Sequence, residues 1–146
     1  MTIMYIANKV YKKIIDNVPY KLPESGGILG GYNNIIYYVE FDNGIQQQNL
    51  HKCHYTPNVE YLNKCIEKWS ERQIDFYGIF HTHFYGISTL SKGDKQYIKN
   101  IMHKMPPSKI QLYFPVIVLP ERKMIPYLCI KEQAEIRIVE EEIQFV

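Results

Sequence analysis

Phe76-Tyr77-Gly78-Ile79-Phe80-His81-Thr82-His83, followed beyond residues 84–90 by Ser91-Lys92-Gly93-Asp94, is the stretch around which the rest of the chain can be read. Residues 76–80 form a compact apolar run, the pattern of a buried strand. Side chains two positions apart leave a strand on the same face. A strand running into His81-Thr82-His83 therefore aims two imidazoles at one point. Ser91 opens a helix whose inner face carries Tyr97, Ile98, Ile101, Met102 and Met105, and Pro106-Pro107 stops it. With Ser91 as N-cap, Asp94 is the N3 residue, in the first turn. The helix dipole there favours an ionised carboxylate.

Upstream of that stretch, residues 2–6 read as a first strand. Val10, Tyr11, Ile14, Ile15 and Val18 recur at helical spacing over residues 8–18. Gly26-Gly27-Ile28-Leu29-Gly30-Gly31 suits a strand that another backbone approaches closely. Asn33-Asn34 makes a hairpin turn into residues 35–41, and Asp42-Asn43-Gly44 closes that strand. Residues 45–57 are polar and unpatterned. Val59, Leu62, Cys65, Ile66 and Trp69 mark a second helix that ends near Arg72. Downstream of the third helix, strands are expected over residues 111–119, 125–131 and 134–139. Strands interleaved with three helices predict an α/β (α+β) protein, a mixed sheet sandwiched by helices.

The chain has 146 residues, of which 46% are hydrophobic and 22% charged, values of an ordinary globular protein that fits one domain over residues 1–146. Its net charge of +2 comes from interspersed residues and forms no basic stripe, which argues against a nucleic-acid partner. Cys53, Cys65 and Cys129 are an odd, widely spaced trio, unlike a secreted disulfide framework. No stretch approaches a membrane span in length, and residues 1–10 lack a signal-peptide core. The expectation is a cytoplasmic protein.

Imidazole nitrogen is a preferred zinc ligand, and Asp94 can supply a third donor beside His81 and His83. Three protein ligands leave a fourth position for water, the mark of a catalytic site. A carboxylate outside the ligand set is then needed to accept the water's proton and return it to the leaving amine. At these residues the chain resembles the JAMM (MPN-plus, JAB) zinc metalloproteases, and its short stand-alone bacterial members in particular. The resemblance rests on His81-x-His83, then Ser91-x-x-Asp94, and on Glu24 upstream in Pro23-Glu24-Ser25-Gly26-Gly27-Ile28-Leu29-Gly30. It spans essentially the whole chain and implies the MPN/JAB fold, of cytidine deaminase-like architecture.

The resemblance implies one zinc ion held by His81, His83 and Asp94. Glu24 would deprotonate the water and then protonate the departing nitrogen, and Ser91 would stabilise the tetrahedral intermediate. It also implies a peptide or isopeptide bond as target, after the C-terminal glycine of a ubiquitin-like or sulfur-carrier-like protein, as in deubiquitinase-like deconjugation or precursor processing. Members of the fold often pair, so a homodimer stays open. Phe84 stands where the family usually has proline directly after the second histidine. The loops at residues 43–57 and 120–124 are too short for the insertions that grip a second ubiquitin.

Other readings of the same residues are a non-catalytic scaffold of that fold and a zinc hydrolase of another amide. Scaffolds lose a ligand or the glutamate, which this chain keeps, and deaminases carry a Pro-Cys-x-x-Cys ligand pair that it lacks. His51, Cys53 and His54 could ligate metal but lack partners at fixed spacing, so a polar loop is the plainer reading. His103 lies beyond the motif, as a surface or boundary residue. The paired glycines have neither the spacing nor the following helix of a phosphate cradle. Trp69 and the tyrosines read as core.

Overall fold

In the computed structural model, which describes residues 3–45 and 55–146, the chain begins with strand β1 (Ile3–Ile6) and helix α1 (Asn8–Asn17). β2 (Gly26–Tyr32) and β3 (Ile35–Asp42) form an antiparallel hairpin. Its turn residues Asn33 and Asn34 have φ of 52° and 63°. Consecutive positive φ values match the twist of the flanking strands, and asparagine tolerates them better than most residues. α2 (Val59–Glu71), β4 (Asp75–His83) and α3 (Lys92–Lys104) follow. The histidines thus belong to β4 itself and occupy its last turns of pleat. His51, Cys53 and His54 lie outside the described residues.

The strands expected over residues 111–119 and 125–131 need correction. Residues 111–119 are two strands, β5 (Gln111–Tyr113) and β6 (Val116–Val118), broken at Phe114-Pro115. Opposite them run β7 (Lys123–Ile125) and β8 (Tyr127–Glu132), broken at Pro126. β6 pairs with β7 and β5 with β8, so residues 111–132 are one long hairpin. The two prolines face the same interruption, because each lacks the N–H that a ladder needs. The expected loop at 120–124 accordingly shrinks to its first residues. After β9 (Glu135–Glu140) comes a strand the periodicity did not suggest, β10 (Glu142–Phe145), which pairs in parallel with β1.

The sheet runs in the order β10-β1-β3-β2-β4-β5-β8-β9, with β6 also on β4 and β7 on β6. Alternation divides its side chains between two faces. Leu29, Phe80 and Leu128 join Val10, Ile14 and Ile15 of α1 in one core cluster. Their neighbours Ile28, Ile79 and Cys129 join Leu62 and Trp69 of α2 and Ile98 and Met102 of α3 in the other. The mixed sheet is therefore sandwiched, one helix against two. Each fully buried aliphatic or aromatic side chain in these layers contributes about 1.5–3 kcal/mol. Trp69 is core, as read from the sequence, and His103 is exposed. Among the described residues no helix is long and apolar enough to cross a membrane.

Candidate metal centre

The last three residues of β4 are held from both sides. Gly26 of β2 pairs opposite His81, while Val116, Ile117 and Val118 of β6 pair with His81, Thr82 and His83. Leu119 N–H donates to the His83 carbonyl at 2.8 Å, and His81 N–H to Pro115 O at 3.2 Å. Two side chains raised from such a platform keep a fixed separation. Both imidazoles are buried, His81 to 6% and His83 to 5% exposure. Their Nε2 atoms stand 2.9 Å apart.

Asp94 arrives from the first turn of α3. Ser91 is the N-cap, and the capping box is complete. Asp94 N–H donates to Ser91 Oγ at 3.0 Å and Ser91 N–H to Asp94 Oδ2 at 2.9 Å. This reciprocal pair fixes the Asp94 carboxylate, with Oδ2 3.0 Å from His83 Nε2 and Oδ1 3.3 Å from His81 Nε2. Among the described residues His81, His83 and Asp94 form a group of donor atoms that lie within 4.8 Å of one another.

The donor set fits a zinc ion. Metal–ligand bonds of about 2.0–2.1 Å in a tetrahedron set the ligand atoms roughly 3.3–3.4 Å apart. The three separations of 2.9, 3.0 and 3.3 Å need only a slight spreading. His83 Nδ1 lies 3.1 Å from the Ile87 carbonyl. A ring N–H donated there leaves the lone pair on Nε2, the side facing the group, an arrangement that recurs in metal-ligating histidines. Electrostatics agree. Burial works against a charged Asp94, but hydrogen bonds to both imidazoles and to Ser91 prevail and hold its carboxyl well below the usual range. Burial likewise opposes a charged His83, yet Asp94, Glu24 and the Ile87 carbonyl raise its pKa. The centre is a knot of lone pairs that a proton or a cation satisfies.

Glu24 sits in the segment just before β2, half-buried, and its charge reaches His83. What brings it there was not visible in the sequence. Ser25 N–H donates to Thr82 Oγ1 at 2.9 Å, and Thr82 N–H to the Ser25 carbonyl at 2.8 Å. Thr82 points away from its histidine neighbours, is fully buried, and clamps the Glu24 segment to the strand that carries them. A lone hydroxyl between two histidines was the only available signal. Phe84, which follows His83 directly, is partly buried against the same core cluster that holds Val10, Ile14 and Ile15. The turn after it is held by Gly86 N–H on Leu119 O at 3.0 Å.

No family model and no curated protein matches the sequence. Solved structures do match, over nearly the whole chain. The solution structure of a protein from Desulfitobacterium hafniense superposes with a TM-score of 0.68 at 18% identity, covering 99% of this chain and 93% of that one. A crystal structure of a JAB1/MPN domain protein from Archaeoglobus fulgidus gives 0.55 at 15% identity, covering 96% and 98%. A structure described as a JAMM metalloprotease-like zinc site in the proteasome and signalosome gives 0.50 at 16% identity, covering 98% and 99%. The chain has the MPN/JAMM-type fold, an α/β architecture of one mixed sheet and three helices, with a His-His-Asp group suited to a metal at the end of β4.

Proposed function

We propose that the chain is a zinc-dependent hydrolase of peptide or isopeptide bonds, acting at the C-terminus of a ubiquitin-like or sulfur-carrier-like protein. The observation that carries the reading is the convergence of His81, His83 and Asp94 within 2.9–3.3 Å, beside the carboxylate of Glu24. Held by those three side chains, zinc would supply a Lewis acid that polarises a carbonyl and acidifies water. Glu24, outside the ligand set, takes the proton from the attacking water and delivers it to the departing nitrogen. Ser91 Oγ accepts from Asp94 N–H, which leaves its own O–H free to donate to the oxygen of the tetrahedral carbon. Burial of the imidazoles strengthens each of these contacts.

A protein substrate is supported by the rim. Leu22, two residues before Glu24, is 40% exposed, and Tyr85 and Ile87, just after His83, are 80% and 52% exposed. Exposed apolar side chains this close in sequence to the site residues are surface that a docked protein segment would cover. Protein supplied with zinc should carry about one equivalent, as three convergent ligands require. It should also cleave a ubiquitin-like protein extended past its C-terminal glycine, and a chelator should stop it. His81→Ala with His83→Ala should abolish both. Elemental analysis that finds no zinc in the wild type sinks the metal centre, whereas zinc without any cleavage favours a scaffold.

A further inference from the structure

Two buried polar atoms among the described residues have no hydrogen-bond partner, Tyr97 Oη and Glu141 Oε1. Such groups are uncommon in folded proteins, and each asks for a reason. Tyr97 lies on α3 three residues after Asp94, and residues so spaced are neighbours on one helix face. Burial and the charges of Asp42 and Asp94 push the Tyr97 hydroxyl's pKa up, so both carboxylates lie within electrostatic reach of it.

The two carboxylates differ in what they can still accept. Asp42 has three protein donors that a cation would leave in place: Oδ2 accepts from Tyr55 O–H at 2.8 Å and Asn58 N–H at 2.9 Å, and Oδ1 from Gly44 N–H at 2.9 Å. Asp94 is engaged by Ser91 N–H and by the two imidazoles. In the metal-centre reading, on which this inference rests, the imidazole Nε2 lone pairs and one lone pair of Asp94 face a cation, and Ser91 N–H is the donor that stays on the carboxylate. The carboxylate then has acceptor capacity to spare one helical turn from a hydroxyl without an acceptor.

We propose that Tyr97 is a positioning residue of the metal centre, its hydroxyl donating to the Asp94 carboxylate when a cation is bound and fixing that carboxylate's orientation. Tyr97→Phe removes the hydroxyl and nothing else. Outer partners of a ligand typically change metal affinity by about 10–100-fold. Chelator competition on the full chain should therefore show zinc binding weakened by about that factor in Tyr97→Phe. The melting temperature of the metal-free variant should match or exceed the wild type's, because an unpaired buried donor has been deleted. Tyr55→Phe is the counterpart. Its hydroxyl already has an acceptor, so metal-free melting should fall while zinc affinity stays unchanged.

Equal zinc affinity in Tyr97→Phe and wild type overturns the proposal and leaves the metal centre standing. A metal-free melting loss in Tyr97→Phe as large as that in Tyr55→Phe also overturns it, since the hydroxyl would then be structural. A wild type that binds no zinc removes the metal centre and the role of Tyr97 together.

Discussion

Glu24, in the segment before β2, and Ser91, the N-cap of α3, should answer mutation differently. Glu24→Gln keeps shape and hydrogen bonding but cannot take a proton at neutral pH. Zinc content and melting should be retained while cleavage falls ~10²–10⁴-fold, the usual loss when general acid–base help is removed. Equal cleavage by Glu24→Gln in a single-turnover assay would reject the proton-shuttle role even with zinc in place. Ser91→Ala should lower stability by about 1 kcal/mol through the lost cap, read as a shift in denaturant midpoint. Its effect on cleavage should be smaller than that of Glu24→Gln. At this scale the His-His-Asp group was legible because its relations are local: two residues along a strand, three along a helix start. Thr82 and Ser25 were not, since their clamp joins positions 57 residues apart. Nor was the Asp42 hub, whose partners come from Tyr55 and Asn58 across a polar, unpatterned segment.

At the scale of elements, β2 and the end of β4 depend on how closely their backbones approach. A Cβ at Gly26 would run into the Phe80 carbonyl and lie 2.6 Å from Tyr55 Cε2. Backbone cannot swing aside as a side chain can, so Gly26→Ala must push β2 from β4 beside His81. Overpacking of this kind costs about 1–3 kcal/mol. Since Gly26 directly follows Ser25, the shift also strains the clamp on Glu24. Gly26→Ala should melt lower, and it should lose more cleavage than zinc affinity. Unchanged melting and cleavage would show that the close approach has slack. The glycine-rich run announced close packing in the sequence, and the helices announced themselves by period and caps. The breaks at Pro115 and Pro126 were the harder reading. Each proline was visible, but only the pairing of β5–β8 and β6–β7 reveals that they interrupt the same hairpin.

At the scale of the molecule, Glu141 is the outlying charge, 7% exposed, between β9 and β10. Burial raises its pKa, against the nearby Tyr113 hydroxyl, which lowers it. A carboxyl whose folded pKa lies above its unfolded value stabilises the fold below the unfolded pKa. That contribution is lost as pH rises through the folded value. Glu141→Gln should therefore gain on the wild type between about pH 4 and neutrality, and thermal melts across that range would measure it. A stability difference independent of pH would contradict the buried-charge account. The sandwich of one mixed sheet and three helices was readable from element order alone. β10 was not, because four residues with a single partly buried side chain, Ile143, carry too little alternation to announce a strand.

The pairing of β1 with β10 has a consequence for synthesis. Among the described elements Ile3–Ile6 is synthesised before the rest, and its register partners Glu142–Phe145 after them. Until then, the flank of β1 turned away from β3 offers unpaired amides and carbonyls, a template for any passing extended chain. Contacts of such long sequence separation also form slowly. While the elements between β1 and β10 are being made, one seam of the sheet therefore stands open.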